Sequence, residues 1–377
     1  MTGMDDIRGK SKAISERLRQ EILSGKFDSL RKLPSDRMLM RRFAVARATV
    51  QSAMKDLLDK HLIDRKPGYG TFLVERAEVA AARKFGVIMP DAYYSFYARI
   101  CRGIELSAKK QGWAILFAAL GSGGMRERAL RAVEFAEVCK RERVSGVFFQ
   151  PLQFLKDSEK FNRTILKVFK NAKIPVVLLD SDFVAPPNRS EYDLVGVDNT
   201  NIGYTLARHV IAAGAKRLIY FSNPLPFPSP TSLKRGTGVG VAVSEAGLKW
   251  TKDRVFFADP EDVRAAERLF RSAKRPDAII AVNDYIAAKL LKTLMQIGKR
   301  VPEDVLLAGV NGDPVAEESD PPLTTMAQPC ERIGEAAVQL MFQRLVDHGL
   351  PPRTIELASL IVKRQSTDKR NLRKERK

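Results

Sequence analysis

Ile14, Leu18 and Ile22 stand four residues apart and draw one apolar stripe, the mark of an amphipathic helix that closes near Gly25. Leu33 and Pro34 then lead to Ser35, a predicted N-cap, and a second helix with Met38, Leu39 and Phe43 on its apolar side. After Ala44, Val45 and Ala46, a third helix is predicted from about Arg47 to Lys60. Its stripe is Val50, Met54, Leu57 and Leu58, and its opposite face carries Arg47, Thr49, Gln51, Ser52 and Lys55. Residues 62–66 and 70–74 flank Pro67, Gly68 and Tyr69 and predict a two-stranded hairpin with a glycine-rich tip.

The pattern then changes. Short apolar runs at 85–89, 114–118, 146–150, 176–180, 194–197, 217–221, 278–282 and 306–310 alternate with helical stretches such as 98–111, 201–213 and 287–297. That rhythm predicts parallel, doubly wound sheets. At about 280 residues the region is too long for one such sheet, and two lobes are expected. The chain is therefore read as multidomain. A small α+β head spans 1–75 and a linker 76–84, followed by a two-lobed α/β domain over 85–367 with parallel sheets. Lobe 1 is placed at about 85–196 and 314–346, lobe 2 at about 197–313 and 347–367, and a basic tail at 368–377.

Charge sharpens this division. The 377 residues carry 64 Lys+Arg against 44 Asp+Glu, a net charge of +20. Residues 1–84 hold +8 and the last ten hold +4, so positive charge gathers at the two ends. Such a field favours polyanions, nucleic acid before an acidic membrane. Cys101, Cys139 and Cys330 lie far apart, as do His61, His209 and His348. Neither a disulfide framework nor a metal cluster is expected. No stretch of about 18 apolar residues occurs and no apolar core marks the N-terminus, so a cytoplasmic protein without a membrane segment is expected.

The third helix offers chemistry for a DNA groove. Arg forks onto guanine, Gln onto adenine, and a Thr methyl packs on thymine. Arg47, Gln51 and Thr49 are thus candidate base readers, while Arg37, Arg41, Arg42 and Lys55 suit phosphates. The run Leu33-Pro34-Ser35-Asp36-Arg37, the turn Val45-Ala46-Arg47-Ala48-Thr49-Val50 and the tip Gly68-Tyr69-Gly70-Thr71 closely resemble the DNA-binding head of the GntR family. The resemblance covers about 65 residues. It implies a winged helix-turn-helix in which Ser35, Arg37, Arg47, Thr49 and Gly70 contact DNA. Two positions depart from the family pattern: Ala46 stands where Ser is common, and Gln51 where Arg is common.

In the second region, ligands of open α/β sheets sit beyond the carboxyl ends of the strands. Asp91, Asp180, Asn283, Asp284, Asn311 and Asp313 all follow predicted strands. Arg235 opens a helix with a fork suited to oxygens, and Phe96 and Tyr97 begin another, where a ring can stack on a sugar face. Segments including "FGVIMPDAYYSFYARICRGIE", "IPVVLLDSD" and "PDAIIAVNDYIAAKLLKTLMQIGKRVPEDVLLAGVNGD" resemble the LacI/GalR sensor, a periplasmic-binding-protein-like domain. That resemblance implies effector contacts at Phe96, Tyr97, Asp180, Arg235, Asp284 and Asp313, with Asn199 fixing a turn. Asn311-Gly312-Asp313 replaces the aromatic-Asp-Asp common in that family. The implied function is a ligand-responsive repressor of carbohydrate-metabolism genes. A homodimer would bind a palindromic operator of double-stranded DNA and be released by a sugar-like effector. No cofactor, metal site or enzymatic activity is expected: no nucleophile elbow, phosphate loop or catalytic His pair is found, and the Gly236–Gly240 run is weak evidence for nucleotide binding. An aminotransferase-like enzyme and a transport-type binding protein are the competing readings.

Overall fold

The computed structural model describes residues 4–23, 27, 32–60, 62–66, 69–73, 83–89, 95–121, 123–184, 188–223, 229–271 and 275–369. The expected helix end at Gly25, His61, the tip residues Pro67 and Gly68, most of the 76–84 linker, Asp91 and the tail from 370 onward lie outside them. The chain divides into two units, Met1–Arg83 and Lys84–Lys377.

The first unit is built from α1 (Met4–Leu23), α2 (Asp36–Phe43), α3 (Arg47–Asp59), β1 (Ile63–Lys66) and β2 (Gly70–Leu73). Ile14, Leu18 and Ile22 are buried against Leu39, Val50, Met54 and Leu57, so the four-residue spacing marks the core face. Ser35 caps α2, its hydroxyl accepting from the Met38 amide at 3.4 Å. Strands β1 and β2 pair antiparallel from Ile63↔Leu73 to Lys66↔Gly70. At Gly70 φ is +117°, a backbone conformation that strains any residue with a side chain and favours glycine.

The second unit holds two six-stranded sheets. The first runs β13-β7-β6-β5-β3-β4, formed by β3 (Lys84–Ile88), β4 (Ala114–Phe117), β5 (Gly146–Phe149), β6 (Val176–Leu179), β7 (Asp193–Val197) and β13 (Thr354–Leu357). All its pairings are parallel. The second runs β14-β12-β11-β10-β8-β9, from β8 (Leu218–Ser222), β9 (Val255–Phe257), β10 (Ala278–Ala281), β11 (Leu306–Asn311), β12 (Thr324–Ala327) and β14 (Leu360–Val362). Here β14 alone pairs antiparallel. The intervening helices are α4 (Ser95–Lys110), α5 (Met125–Arg141), α6 (Ser158–Asn171), α7 (Asn199–Ala212), α8 (Pro230–Glu245), α9 (Val263–Arg271), α10 (Asp284–Gln296), α11 (Pro314–Glu318) and α12 (Cys330–Val346).

The lobe assignments of two segments need correction. Residues 314–327 were expected in lobe 1, yet β12 pairs with β11 in the second sheet. Residues 347–367 were expected in lobe 2; β14 does join the second sheet, but β13 joins β7 in the first. Each has a visible tether. Asp193 at the start of β7 is buried, accepts from Arg344 Nε and Nη2 at 2.9 Å, and accepts the Arg353 amide at 2.8 Å, which lays β13 alongside. Ser366 donates to the Leu307 carbonyl at 2.6 Å and accepts from the Thr324 amide at 2.8 Å, which fixes β12 beside β11.

The glycine run in α8 has a packing role. A Cβ at Gly238 would stand 1.9 Å from the Thr200 carbonyl oxygen, and one at Gly203 in α7 1.9 Å from that of Arg235. These glycines let two helix backbones touch. All three cysteines are buried, and burial pushes each thiol up to about 12, far from a reactive thiolate.

Candidate functional site

Two surfaces gather the residues singled out by sequence. On α3 the exposed positions are Arg47, Ala48, Gln51, Ser52, Lys55 and, at its last residue, Asp59, while Val50, Ala53, Met54 and Leu57 are buried. Arg37 and Arg41 on α2 are also exposed. Arg37, Arg41, Arg47 and Lys55 make no ion pair among the described residues, so their charge faces water.

Two head residues, Thr49 and Arg42, differ from expectation, while Ser35 caps its helix as expected. Thr49 is 4% exposed, because it shares the angular sector of Ala53 and Leu57 at four-residue spacing. Arg42 is held by Glu21, its Nη1 2.7 Å from Glu21 Oε2, and this hydrogen bond raises its pKa. Ser35 is exposed but its hydroxyl already serves the cap of α2. Asp36 is likewise paired, with Arg65 of β1.

In the second unit a cleft of about 630 Å³ lies where the carboxyl ends of both sheets face each other. Phe96, Tyr97, Gln150 and Asp180 line it from the first lobe; Ser222, Ser232, Arg235, Asn283, Tyr285 and Asn311 line it from the second. Phe96 and Tyr97 meet edge to face, with centroids 5.0 Å apart. Arg235 is 6% exposed. Its Nε donates to Asn199 Oδ1 at 2.8 Å and its Nη1 to the Val282 carbonyl at 2.7 Å. Asn199 therefore holds the guanidinium as well as bonding the Val197 carbonyl at 3.2 Å.

Asp180 follows β6 directly and has φ +63°, a left-handed conformation uncommon for a non-glycine residue. Burial raises its pKa, partly offset by the charge of Arg235 and the amide of Gln150. Gln150 Nε2 lies 3.5 Å from Asp180 Oδ2. Asp180 Oδ1 and Gln150 Oε1 are buried and make no hydrogen bond among the described residues. Gln150 was not anticipated, although it follows β5 just as Asp180 follows β6, so the same strand-end rule would have found it.

Asp284 and Asp313 are not among the residues lining this cleft. Asp284 is fully buried beneath it against β11, where a Cβ at Gly309 would meet its Oδ1 at 2.2 Å. It accepts the Asp313 amide at 2.8 Å, and burial pushes its carboxyl up to about 6. Asp313 starts α11 and accepts from Asn311 Nδ2 at 3.0 Å. The neighbouring Asn283, by contrast, faces the cleft and caps α10 through the Ile286 amide at 2.8 Å.

Comparison with known proteins places both units. Residues 10–73 match the family described as bacterial regulatory proteins, gntR family. Residues 207–367 match the periplasmic binding protein-like domain. The HTH-type transcriptional repressor PurR of Vibrio vulnificus is 26% identical over 332 residues, covering 87% of this chain and 92% of that protein. PurR of Aliivibrio salmonicida is also 26% identical, over 290 residues, 76% of this chain and 82% of its own length. Among solved structures, a transcriptional regulator CelR-cellobiose complex superposes with TM-score 0.64 at 21% identity, covering 85% of this chain and 91% of that one. The transcription regulator CcpA of Lactococcus lactis gives 0.63 at 22%, covering 76% and 100%. No helix among the described residues is long and apolar enough to cross a membrane. The chain is thus a regulatory protein that joins a gntR-family helix-turn-helix head to a two-sheet, periplasmic-binding-protein-like domain.

Proposed function

We propose that this protein is a cytoplasmic, ligand-responsive transcription repressor of carbohydrate-metabolism genes, released from DNA by a sugar-like effector. In this reading two chains form a homodimer, and their heads occupy the half-sites of a roughly palindromic operator. Arg47 and Gln51 read bases, while Arg37, Arg41 and Lys55 hold phosphates. Gly70 lets the wing backbone come close to the duplex.

The observation that carries the effector assignment is the pair of buried acceptors without partners, Asp180 Oδ1 and Gln150 Oε1, in the cleft that Arg235 also lines. Such atoms are costly to leave unmade. Hydroxyl donors satisfy the acceptors, ring or hydroxyl oxygens accept from Arg235, and the Phe96–Tyr97 pair offers an aromatic wall. A polyhydroxylated ring fits all three demands. The cellobiose in the CelR complex, and the ribose bound by a LacI family regulator of Enterococcus faecium with TM-score 0.60 at 22% identity, are consistent with it. Effector binding draws the lobes together and changes the spacing of the two heads, so induction is the expected sign.

A thermal-shift screen of monosaccharides, disaccharides, sugar acids and nucleosides tests the effector class. A ligand of the folded sensor raises its melting temperature by mass action. A sugar is expected to do so and to loosen operator DNA in a mobility-shift titration. Stabilisation by nucleosides alone, or by nothing in the panel, overturns the assignment.

A further inference from the structure

We infer that Arg99 is a positioning residue that ties the first lobe to the rim of the second and holds Asn311 in place at the cleft. Arg99 sits on α4 of the first lobe. Its Nη2 donates to the Asn311 carbonyl at 2.9 Å and lies 3.7 Å from Asp313 Oδ1, both in the second lobe. Asn311 is the last residue of β11 and has φ +117°, a conformation that a non-glycine residue keeps only when its surroundings impose it.

The surroundings are specific. The Asn311 carbonyl accepts from Arg99 and from the Gln328 amide at 3.2 Å. Its side chain accepts from Gln328 Nε2 at 2.9 Å and donates to Asp313 Oδ2 at 3.0 Å. Gln328 lies between β12 and α12, on a segment where the chain passes from the second sheet back to the first lobe. One strained residue is therefore gripped by a helix of the opposite lobe and by a crossover, while it also lines the cleft. Any pull on Asn311 from within the cleft is felt at the crossover and at α4. That last consequence rests on the effector reading above; the tie itself does not.

The test needs neither effector nor DNA, so its failure is distinct from failure of the proposed function. Spin labels at Lys167→Cys on α6 and Arg268→Cys on α9, both exposed, report the distance between lobes in the full-length chain. The native cysteines are buried and stay unlabelled. With Arg99 present the distance distribution is expected to be narrow. Arg99→Ala should lose the narrow component and shift the main peak, and Arg99→Lys, which keeps the charge near Asp313, should recover part of it. Arg99→Gln keeps the stem and removes the fork, and it carries the same reading should the Ala variant fail to fold. A distribution in Arg99→Ala or Arg99→Gln identical to the parent's overturns the inference.

Discussion

The head and the sensor handle polar chemistry in opposite ways. On α3, Arg47, Gln51 and Lys55 stand in water with no ion pair among the described residues, over a core of Val50, Met54 and Leu57. In the cleft, Gln150 is 1% exposed, Asp180 9% and Arg235 6%, and the guanidinium is pinned by Asn199 and Val282. An exposed cationic face binds by displacing counterions, and each contact adds its share of a salt-dependent term. A desolvated cleft selects by leaving specific atoms unmade until the right partner arrives. One region is therefore expected to be tolerant and salt-sensitive, the other selective and sensitive to single atoms.

Salt gives the largest effect that separates them. If Arg37, Arg41 and Lys55 hold phosphates on each head of the proposed dimer, raising salt from about 50 to about 200 mM should weaken DNA binding by about a thousand-fold. Effector-induced melting shifts should barely change over the same range. Fluorescence anisotropy and thermal shift measure the two, and equal salt dependence would erase the contrast. Next comes Arg47→Ala. Loss of a bidentate base contact costs about 1–3 kcal/mol per head, so operator anisotropy should show a loss of about 30-fold or more across the proposed dimer, with the sensor's melting point unmoved.

Arg235→Ala should do the reverse. It leaves the Asn199 and Val282 oxygens without their donor, at about 1–3 kcal/mol each, and should lower the sensor's melting temperature by several degrees while abolishing the effector shift. Binding of non-specific DNA should survive. A smaller effect follows from Asp284, whose carboxyl is pushed up to about 6 by burial, with Asp313 and Thr325 against it. The folded state holds this proton more tightly than the unfolded chain does. Stability from this group is therefore full in acid and falls as pH rises from about 4 to about 6, by about 2 kcal/mol. Melting curves across that range should flatten in Asp284→Asn. The smallest effect is Thr49→Val: because Thr49 is buried, operator preference should shift by less than about 0.5 kcal/mol. Gln51→Ala, one helical step round, should change which base is preferred.

The elements that could be read from the sequence are those whose stability is local. The Ile14, Leu18, Ile22 spacing, the Ser35 cap and strands such as β5 and β6, buried along their whole length, carry their pattern within a few residues. The strands β9 and β14 escaped notice because each is an apolar run of three residues, too short to show a period, and β12 and β13 because polar residues interrupt them, as in Thr324-Thr325-Met326-Ala327. What places β12 and β13 is distant: the Asp193–Arg344 pair bridges 151 positions, and the Ser366–Leu307 bond 59. The two misplaced lobe segments are these same strands.

The sites divide in the same way. Arg47 and Gln51 lie on the expected face, but Thr49 does not, since outward and inward sectors of α3 differ by a single residue at its first turn. In the cleft, Asp180 and Arg235 face inward, whereas Asp284 and Asp313 bond each other instead of lining it. Their direction depends on Gly312 at φ +69° and Asn311 at φ +117°, a turn geometry that residue identity alone does not specify.

The most direct test of the whole account is operator affinity measured on full-length protein with and without a saturating effector. The duplex would be one that the protein itself enriches from a random pool, and the effector one found in the thermal-shift panel. Coupling between two such sites is typically about 1–3 kcal/mol, so a drop in affinity of about 5- to 150-fold is predicted. Identical affinity in the two conditions, or indifference to duplex DNA at low ionic strength, would contradict it.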